Sequence, residues 1–567
     1  MSSSPDVMGR GFSAERPAQA AVVQGRRRWQ GVPWVPIVLT GIFCLTTLMP
    51  RIRENPHLVR AYLGVAGFLV AWTALLWTVA RRRAEGFPIE FTTPLPRHYI
   101  QACVQLIIYA YWGYYWRDVY HEAPLILTQF AFLYAFDALL AWSRGRAWRL
   151  GFGPLPIILS TNIFIWFRDD WYAYQFLLIA VGALGKEFVK WNREGRRTHI
   201  FNPSAFTLAI FSIVLIFTGT SDSLTLGSPI ATTVARPPHI YLVMFFLGLV
   251  VQYFFSVTLM TLSAFSALFL LGLGWHLATG TYFFVDSNIP VPIFLGLSFL
   301  MTDPSTSPRT NTGKIIFGAL YGLSVFGLFE LLEHFNVPPH YDKLLPVPIL
   351  NLSVKLIDRV SASGILGRFS RWQASFAPRR LNYVHMGLFA ALFVPLLLTG
   401  YVEGPHPGSS IRFWKQAVAE GKPHAARSLV ELVQYQATEG SGAAWNELGL
   451  LYMEGKLVPK DSSAATTCFI KATELGDPTG CSNVATQFFL KKVPYPLDVV
   501  SRAIDILERE CAARPNAQAS YLVGLAYETG NGRAADPSRA TGLLQTACKL
   551  GNMDACRRLM HFGTSDG

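Results

Sequence analysis

The stretch SFLMTDPSTSPRTNTGKIIFG, residues 298–318, decides how this chain is organised. It leaves an apolar run, passes through Asp303, Pro304 and Pro308, and returns to apolar sequence at Ile315. In hydrocarbon every backbone polar group needs a partner within the protein, so irregular polar backbone is tolerated there only against protein or a cavity. We therefore interpret the stretch as a helix interruption that shapes a polar pocket. A plain connector at the membrane edge is the alternative.

The composition of the 567-residue chain is that of a membrane protein. Hydrophobic residues make up 51% of it and charged residues 15%, and the mean hydropathy is +0.30. Residues 33–402 therefore predict an all-α polytopic transmembrane helix bundle of about ten to thirteen helices. The candidate segments are 36–48, 62–80, 100–116, 124–142, 154–167, 173–189, 205–217, 240–275 (long enough for two), 289–301, 315–332, 344–357 and 384–401. Short segments are alternatively re-entrant.

The formal net charge of +13 indicates a membrane topology rather than a nucleic-acid partner. Residues 401–567 hold 17 basic and 17 acidic side chains, so the whole excess lies before them. There the basic residues cluster in alternate short loops, as the positive-inside rule requires of cytoplasmic loops. We predict a bacterial inner-membrane protein whose basic tail, residues 1–32, is cytoplasmic.

Residues 403–567 repeat themselves at steps of about 37 residues. The small residues Ala444, Cys481, Ala519 and Cys556 occupy equivalent positions, and small residues let paired helices approach closely. An aspartate also recurs, as Asp461, Asp498 and Asp536, where it is expected to cap a helix N-terminus. The pattern predicts an α-solenoid of helix–turn–helix repeats.

The repeat unit resembles the Sel-like branch of the tetratricopeptide superfamily, most clearly in YLVGLAYETGNG, residues 521–532. That resemblance implies protein–protein interaction, with a solubilising appendage as the alternative. The segment CKLGNMDAC, residues 548–556, has the spacing of the disulfide bridge in cysteine-rich secreted Sel-like proteins. A bridge between Cys548 and Cys556, rather than free thiols, requires an oxidising compartment. We therefore expect the repeat domain to be periplasmic.

A second interruption precedes the first along the chain, in GKEFVKWNREGRRTHIFNPSAFTLAIF, residues 185–211. It runs from a basic helix end through His199 to Asn202 and Pro203, which is a helix-entry signal. Interrupted helices that face each other form the binding sites of many membrane proteins with inverted repeats. We expect the two interruptions to meet around one lined cavity.

HIFNPSAF and FLMTDPSTSPRTNTGKIIFG resemble the signatures of one family of bacterial membrane subunits, over about residues 97–359. This family includes the D component of Rnf-type electron-transport complexes and the B component of the sodium-translocating NADH:quinone reductase. The resemblance implies an inverted-repeat bundle that binds flavin, works beside other electron-transfer subunits and passes electrons while ions move. In many members FMN is joined through a phosphoester to a threonine in an S-G-A-T context.

Thr232 and its neighbour Thr233 are the candidates for that threonine, although Ile230 replaces the glycine of the family context. FMN or riboflavin held without a covalent bond is the other possibility. Its dioxopyrimidine edge needs donors and acceptors, and the candidates for these are Asn202, Thr302, Asp303 and Thr306.

Three further residues are candidates for an ion or proton station: Asp137, Glu330 and Glu333. A charged group within hydrocarbon costs at least about 2.5 kcal/mol, so a paired or functional role is expected. Solvated residues at the interface are the alternative for the glutamates. No nucleotide-binding loop is evident, and the histidine spacing predicts no metal site.

We therefore predict a membrane electron-transfer subunit that binds flavin, as part of an oxidoreductase complex, and whose repeat domain recruits a partner. The alternative is a non-redox transporter or scaffold of the same descent, as the homologues beside enediyne biosynthesis genes suggest. A third hypothesis makes the repeat domain the working part and the bundle its anchor.

Overall fold

The computed structural model describes residues 27–29, 34–83, 87–91, 96–193, 195–335 and 337–562. Most of the predicted cytoplasmic tail lies outside these residues. The chain divides into two compact units. The first comprises residues up to 271 together with 291–399, and the second comprises residues 272–290 and those from 400 onward. The predicted all-α class, with a helical repeat domain, is confirmed.

The helices of the first unit run from α1 to α17. They are α1 Trp34–Thr46, α2 Pro50–Arg53, α3 Pro56–Arg83, α4 Pro96–Tyr115, α5 Asp118–Ser143, α6 Pro154–Asn162, α7 Ala173–Phe188, α8 Pro203–Thr218, α9 Ser221–Leu224, α10 Gly227–Thr233, α11 Ile240–Phe255, α12 Thr258–Thr279, α13 Val291–Leu295, α14 Asn311–His334, α15 Pro346–Ser361, α16 Gly364–Ala374 and α17 Pro378–Leu398. A π-helical turn, Gly296–Leu300, extends α13, and the end of α12 enters the second unit.

Two small sheets supplement the helices. In the first, β1 (Arg27–Trp29) pairs antiparallel with β2 (Ile89–Phe91), which pairs parallel with β3 (Trp148–Leu150). The second is an antiparallel hairpin of β4 (Lys190–Arg193) and β5 (Arg196–His199). The prediction of an all-helical bundle did not anticipate either sheet.

Within the described residues, five helices are long and apolar enough to cross a membrane: α3, α5, α12, α14 and α17. The segment 240–275 is two helices, α11 and α12, as its length suggested. By contrast, α6 has only nine helical residues, about 14 Å at 1.5 Å per residue, against a hydrocarbon core of about 30 Å. Together α13 and its π-turn are similarly short. The full count of spans therefore stays a prediction.

The order of elements recurs within the first unit. In the first half a short interrupted helix, α6, is followed by α7 and α8, which pack together. In the second half α13 with its π-turn is followed by α14 and α15, which also pack together. We call α8 and α15 the entry helices. Elements at matching places also contact each other, α4 with α11 and α8 with α15. The packing of α4 with α11 and of α8 with α15 thus brings the two halves together.

Close helix packing in the first unit depends on glycines of α14. A Cβ added at Gly318 would lie 2.2 Å from the Met260 carbonyl oxygen of α12. One turn later, a Cβ at Gly322 would lie 2.9 Å from Ala267. Small residues four apart allow such approach between helices in lipid.

The second unit contains the predicted solenoid. Its helices are α18 Ile411–Ala419, α19 Ala425–Thr438, α20 Gly442–Glu454, α21 Ser462–Glu474, α22 Pro478–Phe489, α23 Leu497–Ala513, α24 Ala517–Thr529, α25 Pro537–Lys549 and α26 Met553–Phe562. Successive helices pack as pairs, α20 with α21, α22 with α23 and α24 with α25. A Cβ at Gly449 would lie 2.7 Å from the Phe469 ring, so this glycine is required for the first of these pairs.

The predicted aspartate caps are confirmed at two of three places. Asp461 accepts from the backbone N–H groups of Ser463 and Ala464, and Asp536 accepts from that of Arg539. The prediction for Asp498 is wrong, because α23 begins one residue earlier, at Leu497, and Asp498 lies inside its first turn.

Residues 272–290 form part of the second unit's first core. Tyr282 and Val285 pack against the cluster around the buried Trp414. The Tyr282 ring lies 4.2 Å from that of His406, measured between centroids, and the Asn288 amide donates to the Tyr401 carbonyl oxygen at 2.7 Å. The sequence analysis did not anticipate this contribution.

The predicted bridge between Cys548 and Cys556 is present, and the other five cysteines are free thiols. Burial raises the pKa of both Cys468 and Cys481 to about 11, so these thiols are protonated and unreactive near neutral pH.

We expect maleimide labelling of the denatured, unreduced chain to modify five cysteines, and prior reduction to raise the number to seven. Intact-mass spectrometry counts the adducts. Cys468→Ser should lower both numbers by one, whereas Cys556→Ser should leave six labelled cysteines with or without reductant. Seven adducts without reduction would contradict the bridge.

We expect Gly318→Ala to destabilise the folded chain by about 1–3 kcal/mol, because the new methyl group meets backbone. Gly327 is the matched control on the same helix, since a Cβ there has no neighbour within 4 Å. Thermal unfolding of the full chain in detergent measures the difference. Equal unfolding temperatures for the two variants would contradict the packing.

Candidate functional site

The two predicted interruptions meet directly, through Asn202. Its side-chain oxygen accepts from the N–H groups of Ser204 and Ala205 and so caps α8. Its amide nitrogen donates to the Leu300 carbonyl oxygen at 2.8 Å, at the end of the π-turn. Its own backbone N–H donates to Oδ1 of Asn351 at 3.0 Å. One buried residue thus satisfies backbone groups from both interruptions.

Asp303 occupies the other side of this polar junction, which we define as residues 199–202, 300–307 and 351. Its carboxylate accepts from the backbone N–H of Ser305 at 2.9 Å and from the Thr306 hydroxyl at 3.3 Å. His199 Nε2 lies 3.4 Å from the same carboxylate. Burial opposes ionisation, but the His199 bond and charge, with these donors, lower the pKa of Asp303 below its usual value.

The β4–β5 hairpin holds the loop of residues 301–310, which joins the π-turn to α14 and is called the junction loop below, through Arg193. This buried guanidinium donates to the Ser307 carbonyl oxygen at 3.0 Å and to the Asp358 carboxylate of α15 at 2.6 Å. Asp358 in turn accepts from the backbone N–H of Arg309 at 2.8 Å. A buried charge needs such paired and hydrogen-bonded surroundings. Sequence reasoning missed Arg193, which looked like one more cytoplasmic cation.

The junction residues assigned to a flavin ring are brought together, and their polar atoms bond protein partners. Thr302 donates to the Ser298 carbonyl oxygen at 3.1 Å, and Asn351 donates to the Thr306 carbonyl oxygen at 3.3 Å. With Asn202 and Asp303 used as described, these candidates already have protein partners for their polar atoms. A flavin held here without a covalent bond stays a prediction.

Thr232 and Thr233 lie elsewhere, on the short helix α10. The Thr232 side chain is half-buried, and its hydroxyl donates to backbone carbonyl oxygens one turn earlier. Thr233 is buried and accepts from the indole N–H of Trp112 at 3.3 Å. Trp112 belongs to a cluster with Trp116 and Trp166, in which ring centroids lie 5.2–5.5 Å apart.

A cavity of about 10 Å³ lies beside α10, with room for about one water molecule. Its wall is mostly apolar and is completed by His340 and Lys343. His340 Nε2 is buried without a hydrogen-bond partner among the described residues, and a Cβ at Gly227 would lie 2.6 Å from it. Burial and the Lys343 charge lower the pKa of His340 to about 3, so the ring is neutral.

The candidates for an ion station lie on two different helices. Asp137 on α5 accepts from the Trp148 indole at 3.0 Å. Glu330 and Glu333 lie together in the last turn of α14, where Glu333 is buried and Glu330 half-buried. Their role in moving ions stays a prediction.

Comparison with known proteins identifies the repeats. Residues 443–477 and 517–552 match the family model of the Sel1 repeat. Sel1 repeats are, in general, protein–protein interaction modules. A Sel1 repeat protein from Oxalobacter formigenes is 25% identical, covering 23% of this chain and 95% of its own, with a TM-score of 0.19. The antigen c5321 of uropathogenic Escherichia coli is 16% identical. The match covers 63% of this chain and 79% of the antigen's chain, with a TM-score of 0.21. At these scores neither superposition adds to the argument.

A protein of Tolumonas auensis, the D component of an ion-translocating oxidoreductase complex, matches a short part of the chain. It is 40% identical over 73 residues, which are 13% of this chain. The match spans 20% of the relative's own length. It is a local likeness to the family that the sequence motifs predicted for the membrane part.

We expect Asn202→Ala to destabilise the chain by about 1–3 kcal/mol, because it removes the α8 cap and leaves the Leu300 carbonyl oxygen unpaired. Asn202→Ser keeps a cap oxygen and loses only the donor, so its loss should be smaller. Asn192→Ala, at an exposed position of β4, is the neutral control. Unfolding temperatures in detergent rank the three. An Asn202→Ala protein as stable as the control would contradict the double role.

Proposed function

We propose that this chain is a subunit of a membrane electron-transport complex and that its repeat unit recruits a protein partner. The observation that carries the first part is the 40% identity over 73 residues to the D component of an ion-translocating oxidoreductase complex. Two interrupted helices joined through Asn202 support it, because this is how membrane proteins with internal repeats build functional centres. The matched Sel1 repeats support the second part.

The redox group we propose is FMN on Thr232. The hydroxyl of Thr232 is half-exposed, and its bonds to Ser228 and Pro229 are ordinary bonds within a helix, so the oxygen can serve as the phosphoester link. The Trp112 cluster provides an aromatic wall next to the same helix. FMN, when bound, would supply the electron-carrying chemistry. The closed junction then has a different task, which is to hold the two halves together.

We further propose that the repeat unit lies in the periplasm and presents its surface to other electron-transfer subunits. Its disulfide bridge supports an oxidising compartment. Its exposed helices provide the interaction surface of a solenoid.

We expect the chain, produced in a flavin-replete host with a flavin transferase, to carry fluorescence that survives denaturation in a gel. Thr232→Val should abolish this fluorescence, because the acceptor oxygen is removed. Thr233→Val is the matched control and should retain it, since Thr233 is buried and bonded to Trp112.

A colourless wild-type chain would overturn the redox proposal and leave a membrane transporter or scaffold. One observation favours that second function: Ile230 stands where the family context has glycine, in a buried position of α10. Fluorescence lost from both variants alike would mean that α10 had unfolded; circular dichroism and unfolding temperature identify that case. Fluorescence kept by both would exclude Thr232 as the acceptor.

A further inference from the structure

Helix α16 packs inward with its polar face. Ser370 donates to Oγ1 of Thr312 at 2.8 Å and to the Ser361 carbonyl oxygen at 2.9 Å, and Gln373 is buried. One turn before Ser370, Gly367 lies so close to the end of α15 that an added Cβ would be 2.2 Å from the Ala362 carbonyl oxygen. The contacts of α16 with α14 and α15 are therefore made by small and polar residues.

The outward face of α16 is apolar. Ile365, Phe369 and Trp372 follow one another at spacings of four and three, which places them along one side of the helix, and Phe376 lies two residues beyond its end. Ile365 is 79% exposed and Trp372 60% exposed. The Trp372 ring lies 5.7 Å from that of Phe369 and 5.3 Å from that of Phe376. A helix in water has the opposite arrangement, with its apolar side inward.

Exposed cations occur on α16 and on the segments next to it in the sequence. They are Arg359, Arg368, Arg371, Arg379 and Arg380. Asp358 is the only acidic residue between 355 and 380, and it is bonded to Arg193. The face therefore combines aromatic and aliphatic side chains with a local excess of positive charge.

We propose that α16 lies in the plane of the cytoplasmic membrane surface and binds anionic phospholipid there. The apolar stripe would enter the boundary between headgroups and acyl chains, and the arginines would contact the phosphates, as in other interfacial amphipathic helices. The helices on either side of α16 in the sequence also expose apolar residues, such as Leu356 of α15 and Val384 of the candidate span α17. Exposed apolar neighbours, one of them on a candidate span, favour lipid over an acidic soluble protein.

Lipid bound to α16 acts on the polar junction through a short chain of hydrogen bonds, which passes through the backbone and the hydroxyl of Ser361. Ser370 contacts Thr312 and Ser361, and Ser361 accepts from Thr310, which caps α14 at the end of the junction loop. Headgroup binding would stabilise this chain and so the loop. This inference does not depend on the proposed flavin.

The test reconstitutes the full chain in nanodiscs of phosphatidylcholine with phosphatidylglycerol. Phosphatidylglycerol retained after mild extraction is measured by native mass spectrometry. Arg368→Gln with Arg371→Gln should weaken its apparent affinity about 25-fold, at about fivefold for each cation near an anionic surface. Arg412→Gln with Arg509→Gln, exposed positions of the repeat unit, is the control for the same loss of charge. Retention equal to wild type in the first variant overturns the proposal, as does acidic soluble protein bound at this face with lipid retention unchanged.

A second readout uses the conservative variant Trp372→Phe, which tests the proposal even if the double arginine variant does not fold. Brominated acyl chains quench tryptophans that reach the bilayer, so the wild-type chain should show a quenched component that Trp372→Phe lacks. Identical quenching of the two proteins means that Trp372 is outside the bilayer and overturns the proposal.

Discussion

The first unit depends on one constraint: a helix that stops inside an apolar bundle must find partners for the backbone groups it leaves free. Asn202 meets that constraint for two interruptions at once, because its oxygen caps α8 and its nitrogen serves the carbonyl group at the end of the π-turn. An unsatisfied buried group costs about 1–3 kcal/mol, and several converge here. This arrangement fixes the positions of the junction loop, of the β4–β5 hairpin and of the entry helix α15.

The junction also explains why a charged side chain is buried in a unit whose interior is expected to be apolar. Arg193 joins two carbonyl groups of the loop to the Asp358 carboxylate, so three elements distant in sequence share one buried cation. Such a cluster specifies one geometry, because removing any partner leaves a charge without compensation. A centre this fully bonded is suited to rigidity.

Much of this arrangement was predictable from particular residues. Pro304 and Asn202-Pro203 mark helix breaks by themselves. The 37-residue step indicated the solenoid, and the likeness of residues 548–556 to Sel-like proteins indicated the disulfide. Hydropathy overestimated the length of the helix in residues 154–167, because apolar composition does not distinguish a full membrane span from a buried helix of half that length. Asp498 was misjudged because Pro496 starts α23 early. Arg193, Asn351 and His340 were missed since their roles arise from contacts across 45–165 residues, which no local pattern encodes. A lone asparagine in the apolar α15 was the one available signal.

Because residues 272–290 supply part of the first core of the second unit, the repeat unit is assembled from two separated pieces of chain. Tyr282 and Val285 are synthesised long before Trp414, so they cannot be covered by this core until the tail has been made. Both pieces must be in the same compartment before they can pack together. A chain in which they are kept apart has a solenoid that lacks part of its first core.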